Sequence, residues 1–98
     1  MVRHVILWKI DDGLDKEKIK ADAKKELEAL SGVIDGILKM EVHTEALDSS
    51  SCDMMLDSAF DTKESLDAYR VDPRHVAVAD KYVRPFAKIR LCLDFDDK

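Results

Sequence analysis

Val2-Arg3-His4-Val5-Ile6-Leu7-Trp8-Lys9-Ile10 is the stretch that decides the architecture. It is rich in β-branched and aromatic residues, and Asp11-Asp12-Gly13 follows it as a turn signal, so it reads as a strand. Successive side chains of a strand point to opposite faces. Val2, His4, Ile6, Trp8 and Ile10 fall on one face; Arg3, Val5, Leu7 and Lys9 fall on the other. Apolar groups on both faces call for a central strand covered on both sides.

The neighbouring segments supply the cover. Asp15 is placed to cap a helix whose apolar stripe is Ile19, Ala23, Leu27 and Leu30, ending around Ser31-Gly32. Gly36 opens a second strand, Ile37 to Thr44, with Leu38, Met40 and Val42 predicted inside and Lys39, Glu41 and His43 at least partly wet. Leu47 to Ser51 reads as a loop. A third strand is predicted from Asp53 to Phe60, with Met54, Leu56, Ser58 and Phe60 on one side and Met55, Asp57 and Ala59 on the other. Asp61-Thr62-Lys63-Glu64 is a capping-box pattern with Asp61 in the capping position, starting a short helix that carries Leu66 and Tyr69. Asp72-Pro73 interrupts it. Proline suits the first turn of a new helix and Asp72 suits its cap, with His75, Val78, Ala79 and Tyr82 at helical spacing. Pro85 ends that segment. The last strand, Phe86 to Phe95, alternates Ile89, Leu91, Leu93 and Phe95 with Lys88, Arg90, Cys92 and Asp94.

The order β-α-β-β-α-β predicts a ferredoxin-like α+β sandwich, a four-stranded antiparallel sheet with its helices on one face, as a single domain over residues 1–98. The second face then has no cover within the chain. Val5, Leu7 and Met55 are expected there beside Arg3, Lys9, Asp57 and Arg90. A second copy would bury the apolar members and pair the charges, so the reading predicts a homodimer with Val5, Leu7, Met55 and Asp57 on the dimer face.

Composition narrows the partners. The chain has 98 residues, 16 basic against 21 acidic, and a net charge of −5. No apolar run approaches the roughly 18–20 residues of a membrane span, and no secretory signal is evident, so a cytoplasmic protein with no membrane partner is expected. An acidic chain without a basic stripe is not built for nucleic acid. Apolar residues make 46% of it, too many for disorder. Cys52 and Cys92 have no metal or redox spacing and read as small thiols. His4, His43 and His75 have no ligand spacing, so no metal is expected. Three glycines, at 13, 32 and 36, make no phosphate loop, and no cofactor is expected.

Three segments resemble one family, the stress-responsive α/β-barrel (Dabb) proteins, and the resemblance runs over nearly the whole chain. His4-Val5-Ile6-Leu7-Trp8-Lys9-Ile10 looks like the family's first strand. Phe60-Asp61-Thr62-Lys63-Glu64-Ser65-Leu66-Asp67-Ala68-Tyr69 is similar as well. Tyr69-Arg70-Val71-Asp72-Pro73-Arg74-His75 resembles the family's Tyr-x-x-His-Pro-x-His, with Asp72 where the family has its first histidine. A cap tolerates that change; a pocket role for that histidine would be lost. The resemblance implies a dimeric α/β barrel with a small pocket between each sheet and its helices. Plant members include stress-associated proteins and a polyketide cyclase that closes a ring by aldol condensation. In the cyclase type the tyrosine and the last histidine carry the chemistry, positions that match Tyr69 and His75. His4 matches a pocket-lining histidine.

The residues support two readings of these groups. His75, with an ordinary pKa of about 6.5, suits a general base, and Tyr69 suits a donor to a carbonyl or a developing enolate. The alternative is a structural histidine bonded to backbone near the Asp72-Pro73 turn, with Tyr69 in the core. Helical spacing alone does not bring the two together. His4 is either a satisfied core histidine or a pocket group; Ile6, Trp8, Leu56 and Tyr82 are the other expected walls. Functionally, one reading is a homodimer whose small apolar pocket binds a small molecule without catalysis. The other is a cofactor-independent enzyme on a small carbonyl or polyketide-like substrate, aldol cyclase-like, with His75 as base, Tyr69 as carbonyl polariser and His4 orienting. A cofactor-independent monooxygenase on a related fold is a third.

Overall fold

The structure, a computed structural model, describes residues 1–98. The elements are β1 (Val2–Ile10), α1 (Lys16–Glu28), β2 (Ile37–His43), β3 (Met54–Phe60), α2 (Lys63–Val71), α3 (Pro73–Tyr82) and β4 (Ala87–Asp96). The strands form one antiparallel sheet in the order β2-β3-β1-β4, so β1 is interior, as its two apolar faces require. This is the ferredoxin-like arrangement. All three helices lie on one side of it: α1 packs on β2 and α3, and α2 packs on β1 and β3.

The core is the helix-side face of three strands. Ile6, Trp8 and Ile10 of β1, Met40 and Val42 of β2, and Met54, Leu56 and Phe60 of β3 meet Ile19, Ala23 and Leu27 of α1 and Leu66 and Tyr69 of α2. Asp15 caps α1 by accepting from Lys18 N at 3.2 Å. Two expectations fail locally. Leu38, expected inside, is 58% exposed. Ile37 pairs with Phe60 and Lys39 with Ala59, which leaves Leu38 as the extra residue of a bulge, turned out of the alternation. The cap of α2 is Thr62, not Asp61: Thr62 Oγ1 accepts from Ser65 N at 3.1 Å. Asp61 is still tied to the sheet by its backbone N–H on the Gly36 carbonyl (3.0 Å), so the helix starts one residue later.

The register sorts the opposite face. Val5 lies between Asp57 and Leu93, Leu7 between Met55 and Leu91, Arg3 between Ala59 and Phe95, and Lys9 pairs with Ile89. Arg90 pairs with Trp8 and therefore faces the helices, which corrects the expectation that it joins the outer face. The outer face divides in two. On the β2–β3 side Asp57 accepts from Lys39 Nζ (2.8 Å) and from Arg3. On the β1–β4 side Leu7, Ile89, Leu91, Leu93 and Phe95 form an exposed apolar strip, Leu93 being 63% exposed. The helix layer also stops short of β4, leaving the polar residues on its inner face open to solvent.

Candidate ligand-binding site

A cavity of about 340 Å³ opens between the sheet and the α2–α3 pair. That volume lies at the lower end of the range for small-molecule sites. β1 contributes His4, Ile6 and Trp8, with Leu56 of β3 beside them and Leu27 reaching in from α1. Tyr69 and Arg70 come from the end of α2. His75, Ala79, Val83 and Arg84 come from α3 and the turn after it, and Ala87 and Arg90 from β4. Of the expected walls, Tyr82 is not among these residues; it is partly buried against the core, with Lys81 Nζ 5.2 Å from its ring centre.

The helix break is what brings Tyr69 and His75 together. In one continuous helix, six residues would separate them by about 9 Å along the axis and about 240° around it. Asp72 interrupts the helix with extended backbone (φ −63°, ψ 127°), and its carboxylate caps α3 by accepting from Arg74 N at 2.9 Å. Arg74 also reaches that carboxylate with its guanidinium, holding the Asp72 pKa down to about 2. The chain folds back, and the Tyr69 and His75 rings lie against each other, tilted by 33°, with their centroids 4.1 Å apart. The Nδ1–H of His75 donates to the Arg70 carbonyl at 3.3 Å, which leaves Nε2 as the basic nitrogen. This is the backbone bond of the structural alternative, made by a histidine that also lines the cavity.

Tyr69 is 1% exposed, and its hydroxyl has no hydrogen-bond partner in the protein. Burial pushes the phenol well above its ordinary range, so it is a neutral donor at every physiological pH. Its ring also packs against Phe60 at 5.0 Å and stands edge-on to His4 at 6.4 Å.

His4 is 3% exposed and is fixed from the edge strand. Its register partner is Asp94, and its Nδ1–H donates to Asp94 Oδ1. Arg70 holds the other oxygen of the same carboxylate. Burial lowers the His4 pKa, against the pull of Asp94. Partial burial resists ionisation of Asp94, but the bond from His4 and the nearby cationic groups outweigh it, and its pKa lies below the usual range. A neutral His4 donating to an ionised Asp94 satisfies both shifts. Cys92 Sγ completes this cluster, 3.7 Å from His4 Nδ1 and 3.5 Å from Asp94 Oδ1. Burial pushes that thiol up, so it is not an activated nucleophile. The three groups are close enough to share a cation. Each already has a hydrogen-bonding role, and Arg70 occupies the position next to the carboxylate.

Arg70, Asp94, Arg84 and Arg90 were absent from the expected site. The signal was in the sequence for two of them: Arg90 and Asp94 alternate with the apolar residues of β4, which places them together on one face. Only the strand register assigns that face to the cavity side.

Residues 2–97 match the family described as the Stress responsive A/B Barrel Domain. No curated protein matches the chain in sequence. Among solved structures, a dimeric protein of unknown function with a ferredoxin-like fold from Bacteroides fragilis is similar, at 28% identity and a TM-score of 0.90, over 98% of this chain and 95% of that one. A Dabb family protein from Mesorhizobium loti is similar at 21% identity and a TM-score of 0.74, over 99% and 96% of the two chains. The hydroxynitrile lyase of Passiflora edulis is similar at 13% identity and a TM-score of 0.80, over 96% and 90%. At 21% and 13% identity the likeness is one of fold.

Proposed function

The chain belongs to the stress-responsive A/B barrel domain family, and we propose that it acts as a homodimer in which each protomer binds a small molecule in the cavity between sheet and helices. What carries the reading is the Tyr69 hydroxyl. Leaving a buried hydroxyl unpaired costs about 1–3 kcal/mol. That cost is understandable where a ligand supplies the missing bond. The rest of the wall suits such a ligand: an apolar body against Ile6, Trp8, Leu27 and Leu56, and polar atoms toward Tyr69, His75 and His4. For the dimer, the support is the apolar strip along β1 and β4, on a strand whose outer edge is unpaired, together with the dimeric state named for the Bacteroides fragilis neighbour.

A second reading has its own observation in its favour. Both histidines of the cavity donate through Nδ1 to fixed acceptors, which presents Nε2 of each as a base. A cofactor-independent enzyme on a small carbonyl substrate would use this arrangement. Tyr69 would donate to the carbonyl oxygen, His75 Nε2 would take a proton from the adjacent carbon, and His4 would orient the substrate. The resulting enolate would attack a second carbonyl of the same molecule, as in an aldol closure.

The binding reading is tested by thermal shift. A set of small aromatic and acyl carbonyl compounds is screened against wild type and Tyr69→Phe. Without ligand, Tyr69→Phe should be at least as stable as wild type, because it removes an unpaired polar group. A compound that raises the wild-type melting temperature should raise that of Tyr69→Phe by less. The proposal fails if no compound stabilises the wild type, or if unliganded Tyr69→Phe is clearly the less stable protein.

A further inference from the structure

The cavity wall is unusually charged for an acidic protein. It carries three arginines, Arg70, Arg84 and Arg90, and no carboxylate, in a chain of net charge −5. Two of the three are neutralised from outside the cavity: Arg70 by Asp94, and Arg84 by Asp80 at 2.6 Å. Arg90 is the one left without a carboxylate partner. It stands on β4, at the side of the cavity the helices leave open, opposite Trp8 in the register. The polar wall groups Tyr69 and His4 carry no charge. Tyr69 is a neutral donor, and the positive charges of Arg70 and Arg90 add to burial in keeping His4 neutral.

We propose that the ligand is a small monocarboxylate with an apolar body, its carboxylate held by Arg90 and a second polar atom bonded by the Tyr69 hydroxyl. The inference rests on the binding role proposed for this cavity and names the chemical class of what it binds. A guanidinium presents a planar fork that matches a carboxylate with two parallel bonds. It is also weakly hydrated, so it gives up little on meeting an anion at the cavity mouth. The apolar wall of Ile6, Trp8, Leu27 and Val83 takes the remainder of the molecule, and the single guanidinium left without a carboxylate partner matches one carboxylate rather than a polyanion. A neutral isostere would fill the same volume but leave Arg90 unpaired.

The test compares 4-propylbenzoate with 4-propylbenzamide by isothermal titration at low salt. Wild type should bind the benzoate at least about tenfold more tightly, the scale of one charge-assisted hydrogen bond. Arg90→Gln should lose that preference while still binding the amide. Lys88→Gln, which removes a cation of the same strand outside the cavity, should keep the preference. Equal binding of the two compounds by wild type overturns the inference and leaves the pocket standing. A preference that survives in Arg90→Gln overturns the role of Arg90. Failure of both compounds to bind takes the pocket reading down with it.

Discussion

At the residue scale, the candidate site is set by where each imidazole places its protons. Both His4 and His75 have pKa values below the ordinary 6.5, in each case through burial first. His4 is opposed by Asp94, and His75 by its bond to the Arg70 carbonyl; neither restores the ordinary value. The sign of the pH dependence follows. Between the lowered values and pH 6.5 the unfolded chain binds protons that the folded chain refuses. The stability contributed by the two neutral histidines is therefore complete above about pH 6.5. It is lost as the pH falls through their folded values. Urea unfolding at pH 7.5, 6.5 and 5.5 should give a falling stability, and His75→Gln should flatten part of that fall. A stability that is level or rising from pH 7.5 to 5.5 would contradict the assignment of neutral histidines. The sequence offers His4, Tyr69 and His75 as candidates through residue type and through the family resemblance. It did not contain Asp94 or Arg90 as site residues, because their approach to His4 and Trp8 depends on the register between the first and last strands.

At the element scale, two breaks in regular structure place the site, and the chain codes them unequally. The interruption at Asp72-Pro73 is legible residue by residue: proline excludes an unbroken helix and aspartate caps the new one. The bulge at Leu38 is not, because Leu38 fits the apolar alternation and only the pairing of Ile37 and Lys39 reveals it. Just before that bulge, Gly36 has φ +90°, and a Cβ on it would run into the Ser65 side chain at the start of α2. Gly13 has a similar φ of +84° with open space around it. Gly13→Ala should therefore cost about 1–2 kcal/mol, the backbone penalty alone. Gly36→Ala should cost more, because β2 and the first turn of α2 must separate. Chemical denaturation of the two variants decides it; equal losses would show that the contact with Ser65 carries no weight.

At the scale of the whole molecule, a single sheet serves two directions. Its inner face, between β1, β3 and the helices, holds the core and the cavity; its outer face carries paired charges toward β2 and an apolar strip toward β4. An outer face left to water was already implausible from Val5, Leu7 and Met55. The register strengthens the point by adding Ile89, Leu91, Leu93 and Phe95 to the same face, residues whose alternation was visible but whose side was not. The cavity lies on the helix side of the sheet and the apolar strip on the opposite side, so separating two copies across the outer face should leave it intact. Sedimentation equilibrium of wild type and Leu93→Asp, each with and without 4-propylbenzoate, tests this division of the sheet most directly. Wild type should sediment at about twice the 11.1 kDa chain mass and Leu93→Asp at the mass of one chain, with the benzoate co-sedimenting with both. A wild type that remains a monomer at micromolar concentration, or a Leu93→Asp monomer that no longer carries the ligand wild type binds, would contradict it.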